Sequence, residues 1–152
     1  MNLKGPEGKS KPMLDSAFLS AAQLRSLAPP KLEVGQRYPL PEETARQLSI
    51  AMTHEGDAYY RMYPASVTQA KLEAEVIAVT DDRVEVRIAG TLEGKKKFGD
   101  NGEMEAQATF SGLLVLDRKG ELQSLLAVCA GRYRNTRSNG NNTIGGLLEW
   151  RK

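Results

Sequence analysis

Between Gly112 and Arg134 the chain reads GLLVLDRKGELQSLLAVCAGRYR, two apolar stretches on either side of a charged tip that carries one glycine. Asp117-Arg118-Lys119-Gly120 suits a type I turn closing into a bulge, with Gly120 in the left-handed conformation. A hairpin this long constrains a 152-residue chain severely, because the remainder must bury at least one of its faces. The turn pairs Leu116 with Leu122. Continued along the ladder, it sets Gly112 opposite Leu126, Phe110 opposite Val128 and Ala108 opposite Ala130.

A period of two also runs through the segments before it. QAKLEAEVIAVT (69–80) alternates Ala70, Leu72, Ala74, Val76 and Ala78 against Lys71, Glu73 and Glu75. RVEVRIAGTL (83–92) alternates Val84, Val86, Ile88, Gly90 and Leu92 against Glu85, Arg87 and Thr91. Both patterns predict strands with one face in a core and one in water. A strict two-residue turn at Asp81-Asp82 sets Glu75 opposite Ile88 and mixes the faces. A longer loop or a bulge sets Val76 opposite Ile88 and Leu72 opposite Leu92, which keeps them apart.

EGKKKFGDNGE (93–103) reads as a polar tip around Asn101-Gly102, and NTRSNGNNTIGG (135–146) as a polar loop before a short last strand, GLLEW. Residues 1–13, rich in Gly, Pro, Lys and Ser, read as a disordered leader. LDSAFLSAAQLRSLAPP (14–30) predicts a helix capped by Asp15 or Ser16 and stopped at Pro29-Pro30. An edge strand follows through Arg37 and Tyr38. A second helix, 41–52, starts at Pro41 with Glu42 and Glu43 in its first turn, where the helix dipole favours anions. Residues 53–66 connect it to the strands. Helices first and strands after predict one α+β domain over 14–152: a strongly curved antiparallel sheet or partly open barrel, with one or two N-terminal helices on it.

The inward face of that sheet is undersized, with Ala70, Ala74, Ala78, Gly90, Ala106, Ala108, Gly112 and Ala130. Small residues in strands leave space or let another backbone approach. Either the second helix beds directly on this face, or the space is an apolar pocket lined by Ala108, Phe110 and Gly112. Tyr59, Tyr60 and Tyr63, three of the chain's five tyrosines, suit the rim of such a pocket or cover the open edge of the core. Part of the hairpin is apolar on both faces. Leu113, Val115 and Leu125 point away from the inward set and need a cover, either the first helix or another subunit.

Other chemistry is scarce. Lys plus Arg number 21 against 19 Asp plus Glu, too near balance for a nucleic-acid partner. Arg132, Arg134 and Arg137 flank Tyr133 and offer an anion contact, or simply end an exposed strand. His54 is the one histidine and Cys129 the one cysteine, so neither a zinc site nor an intrachain disulfide is expected. No nucleophile elbow or phosphate loop occurs, and no cofactor is expected. No apolar run reaches the roughly 18 residues of a transmembrane segment. No signal sequence is visible, which leaves the location open: the cell envelope if a signal peptide has been removed, otherwise the cytoplasm.

The run LEAEVIAVTDDRVEVRIAGTLEG followed by ATFSGLLVLDRKGELQSLLAV resembles uncharacterised bacterial β domains, many of them exported. It is broadly similar to the curved sheets of lipoprotein-carrier and lipocalin-like proteins. The resemblance spans residues 67–134 and implies no catalytic set. Function is therefore expected to be non-catalytic. The first expectation is a binding or scaffolding module holding a small apolar molecule under the sheet; the alternative is a protein-interaction or dimerisation domain using the hairpin 104–134.

Overall fold

A computed structural model of the chain describes residues 19–48, 64–98, 100, 102–136 and 138–152. The first helix as described begins later than expected, at Ala21. The leader 1–13, the expected first-helix start at Asp15 or Ser16, residues 49–52 of the expected second helix and most of the connector lie outside the described residues. So do His54, Tyr59, Tyr60, Tyr63 and Arg137.

Among the described residues six strands form one antiparallel sheet: β1 (Arg37–Pro39), β2 (Val67–Val79), β3 (Arg83–Phe98), β4 (Gly102–Asp117), β5 (Leu122–Asn135) and β6 (Ser138–Arg151). Their spatial order is their chain order, and the sheet does not close into a barrel. Two short helices, α1 (Ala21–Ser26) and α2 (Glu42–Leu48), precede the long strands. An antiparallel sheet with N-terminal helices is thus the architecture that the alternating pattern predicted.

Ser20 caps α1. Its hydroxyl accepts from the Gln23 N–H at 3.2 Å while its own N–H donates to Gln23 Oε1 at 2.8 Å, a reciprocal capping box. Leu27 follows, fully buried, and its carbonyl accepts from the Tyr38 hydroxyl at 2.7 Å. Ser26 Oγ and Thr44 Oγ1 lie 2.8 Å apart and join the two helices. Leu27, Ala45 and Leu48 share one core with Ala74, Ile88, Phe110 and Leu148. The helices therefore cover the inner side of the sheet.

The β2–β3 hairpin does contain a bulge, but its register is two residues from the expected one. Val79 pairs with Val84 and the Thr80 N–H donates to the Arg83 carbonyl at 2.9 Å, which is the tight turn. Ile77 is then skipped, so Val76 lies opposite Val86 and Ala74 opposite Ile88. The extra residue restores the in-and-out order that the tight turn alone would have mixed. Farther along, Gly90 sits opposite Leu72, where a Cβ would stand 1.9 Å from the Lys71 carbonyl oxygen. Only glycine admits an approach that close.

Two segments expected to be loops are strand. Residues 93–98 pair with 102–107 up to Phe98 opposite Gly102, and Lys95 bridges Glu103 at 2.7 Å and Glu105 at 3.2 Å. Cross-strand charge pairing sustains a ladder that has no apolar alternation to announce it. Residues 138–146 belong to β6, which pairs with β5 from Ser138 to Arg151 and buries Ile144 and Leu148.

The largest correction concerns the central hairpin. Its turn is as expected: Gly120 has φ of 82°, its N–H donates to the Asp117 carbonyl at 3.0 Å, and Leu116 pairs with Leu122. Gln123 is then skipped, and Val115 pairs with Ser124. From there Leu114 faces Leu125, Gly112 faces Ala127, Phe110 faces Cys129 and Ala108 faces Gly131. One extra residue turns the whole of β5 over. Leu125, Ala127, Cys129 and Tyr133 point inward, whereas Leu126, Val128 and Ala130 point out.

Candidate functional site

The residues expected to line a pocket on the inner face, Ala108, Phe110 and Gly112, are closely surrounded at Gly112. Ala108 and Phe110 are buried, and Phe110 is among the largest fully enclosed side chains. A Cβ on Gly112 would stand 2.9 Å from Ala127 Cβ and 3.4 Å from the Phe110 ring. The phenyl group of Phe110 therefore occupies the space beside the glycine of its own strand. Ala70, Ala74 and Ala106 are buried as expected, but Ala130 is exposed. An open groove of about 530 Å³ lies elsewhere, where β2 runs past the end of β1, among Leu40, Ala70, Lys71, Leu72 and Glu73. It does not touch Ala108, Phe110 or Gly112.

Cys129 lies on this inner face, and burial pushes its thiol up to about 12. At neutral pH it is a protonated, enclosed hydrophobe without nucleophilic character. Among the described residues no group of three His, Cys, Asp or Glu side chains could hold a metal ion. No described helix is long and apolar enough to cross a membrane.

Arg132 and Arg134 are exposed on the outer face, while Tyr133 between them is buried on the inner one. Strand alternation thus puts Arg132 and Arg134 on one side of the sheet and Tyr133 on the other. Arg132 stands opposite Gln107 and Thr143, and Arg134 opposite Glu105, which also receives Lys95.

The outer face of β4–β6 is where apolar side chains meet water. Leu113 is 38% exposed, Leu126 50% and Val128 51%. Leu113 and Leu126 are direct cross-strand partners, and Val128 pairs with the half-exposed Leu147. Scattered single leucines on a surface need no explanation, but a contiguous group does. Two of the three interface residues expected from sequence, Leu113 and Val115, do lie on this side. Leu125 does not: the Gln123 bulge turns it inward, where it is 1% exposed. Leu126 and Val128 take the outer places, and their one signal in the sequence was that the hairpin is apolar at both parities.

Charged residues border the patch. Reading across the sheet, Arg87 pairs with Leu113, Leu113 with Leu126 and Leu126 with Glu149. One row toward the turn, Glu85 pairs with Val115, Val115 with Ser124 and Ser124 with Arg151. Arg87 also donates to Glu75 at 2.6 Å, and that hydrogen bond is the main reason the Glu75 carboxyl is held below its ordinary range. Arg151 bridges Glu149 at 3.0 Å and Arg83 bridges Glu85 at 3.0 Å.

No protein-family model, curated protein or solved structure matches this chain.

Proposed function

We propose that the chain is a non-catalytic binding module whose working surface is the outer face of β4–β6. The observation that supports this reading is the exposure of Leu113, Leu126 and Val128 beside one another. Removing such side chains from water is worth about 25 cal/mol per Å², so a contiguous group favours a partner far more than the same residues dispersed. The charged border supplies orientation. The buried thiol of Cys129 and the absence of a recognisable nucleophile motif agree with a role that involves no covalent step.

The second reading, an apolar small molecule held under a strongly curved sheet, draws on the small inner residues Ala70, Ala74, Ala106 and Ala108. The bulges at Ile77 and Gln123 and the close approach at Gly90 are consistent with coiling. The resemblance of residues 67–134 to exported β domains suits either reading.

Binding of a fluorescent apolar dye by the folded monomer separates the two. The outer-face reading predicts dye binding that is lost in Leu126→Lys/Val128→Lys with thermal stability unchanged, and retained in Ala108→Leu. Dye binding that survives the double lysine change but disappears in a folded Ala108→Leu protein would move the site to the inner face.

A further inference from the structure

The border of the outer apolar patch has an order that a generic sticky surface would not need. The row Arg87–Leu113–Leu126–Glu149 runs from positive through apolar to negative across β3, β4, β5 and β6. The next row, Glu85–Val115–Ser124–Arg151, runs from negative to positive over the same strands. Each row thus carries opposite charges at its two ends, equally far from the β4–β5 midline.

We infer that the occupant of this face is a second copy of the same chain, packed sheet on sheet about a twofold axis parallel to the strands and midway between β4 and β5. This rests on the outer-face reading above and adds the partner. Such an axis sets every residue of a row against its mirror position in the same row of the other copy. Leu113 meets the other copy's Leu126, Arg87 meets its Glu149, and Glu85 meets its Arg151. In the row below, Val128 meets Ser111 and Leu147 meets Ala89, small neighbours that leave the larger side chains room. A twofold contact is self-complementary by construction, so each favourable pair occurs twice.

A twofold perpendicular to the strands is the competing arrangement. Placed between the two charged rows, it also matches charge, pairing Arg87 with Glu85 and Glu149 with Arg151. It then shifts the row Ala89–Ser111–Val128–Leu147 over the charged hairpin ends, setting Ala89 against Arg83 and Ser111 against Asp117. The parallel axis keeps the Val128 row on itself, and is preferred for that reason.

The size of the face sets the strength. The rows from Glu85 to Glu93 across β3–β6 outline roughly 650 Å² at ordinary strand and residue spacings. A standard stable interface buries about 800 Å² on each partner. The dimer is therefore of modest affinity and dissociates on dilution. Sheets packed in this way lie with their strands near alignment, about 10 Å apart.

Sedimentation velocity over a concentration series tests the inference with single and mixed charge reversals. Wild-type protein sediments as a dimer at high concentration and as a monomer when dilute. Arg87→Glu sets Glu against Glu149, and Glu149→Arg sets Arg against Arg87, so each variant alone shifts the midpoint at least tenfold toward monomer. An equimolar mixture of the two folded variants regains the dimer, because both of its cross-contacts are again opposite in sign. Under the perpendicular axis the mixture gains nothing. A mixture that stays monomeric, or a wild-type protein that is monomeric at millimolar concentration, overturns the inference. In the latter case dye binding that still depends on Leu126 and Val128 leaves the outer-face reading standing, whereas loss of that dependence removes both.

Discussion

The Tyr38 hydroxyl donates a 2.7 Å hydrogen bond to the Leu27 carbonyl, tying the end of α1 to edge strand β1 inside the core. Tyr38 is 8% exposed and Leu27 fully buried, and burial pushes the phenol well above its ordinary range. Changing Tyr38 to Phe leaves that carbonyl without its donor while preserving the ring. The expected loss is about 1–2 kcal/mol in urea unfolding, since an orphaned buried acceptor forfeits its solvation as well as its bond.

Gly90 is required by space. A Cβ there would fall 1.9 Å from a backbone oxygen, and backbone cannot swing aside as a side chain can. Gly90→Ala is expected to lose about 2–3 kcal/mol of stability or fail to fold. Gly120→Ala, by contrast, meets mainly the cost of a left-handed conformation at φ of 82°, about 1 kcal/mol. Chemical denaturation of the two variants side by side checks the order.

Asp117 closes the central hairpin. Its carboxylate accepts from the Glu121 N–H at 2.9 Å and the Lys119 N–H at 2.8 Å, and the Glu121 bond contributes most to holding its pKa below the ordinary aspartate range. A group depressed in the fold contributes stability above its unfolded pKa and loses it as pH falls through the folded value. Asp117→Asn should therefore destabilise at neutral pH and flatten part of the acid limb of the stability curve. Melting temperatures between neutral pH and the acid range measure both effects.

The Cys129 thiol has the opposite sign. Its pKa is raised to about 12 by burial, so its contribution is complete below the unfolded value and is lost as pH rises from there toward 12. At pH 8 its thiolate is about a thousandfold rarer than that of a free cysteine. Native protein should react with a thiol reagent at least that much more slowly than urea-unfolded protein. Comparable rates would place Cys129 at the surface.

What could be read in advance followed from side-chain period. Alternation through 69–80 and 83–92 gave strands and their inner face, Asp117–Gly120 gave a turn that formed as drawn, and Arg37 and Tyr38 gave the edge strand. What could not be read were the single skipped residues. Nothing in LQSLLAV marks Gln123 as extra, and both parities of that run are apolar, so either face could have been the buried one. The structure resolves the ambiguity by burying Leu125, Ala127 and Cys129 against Leu114, Gly112 and Phe110. Residues 138–146 hid their strand because their partners, not their own hydrophobicity, hold them in the sheet. The pocket candidates Ala108 and Gly112 are small, but the Phe110 ring lies in the space beside Gly112 and Ala108 packs against the backbone at Gly131.

The outer apolar face exists only if Val128 and not Cys129 meets water on β5, and thiol labelling at these adjacent positions measures this directly. In folded protein Cys129 should stay unlabelled, while in Val128→Cys/Cys129→Ala the new thiol should react within minutes at the rate of an exposed cysteine. Rapid labelling of Cys129 together with protection at position 128 would mean that Gln123 is paired and β5 unturned, and the outer apolar face would vanish with it.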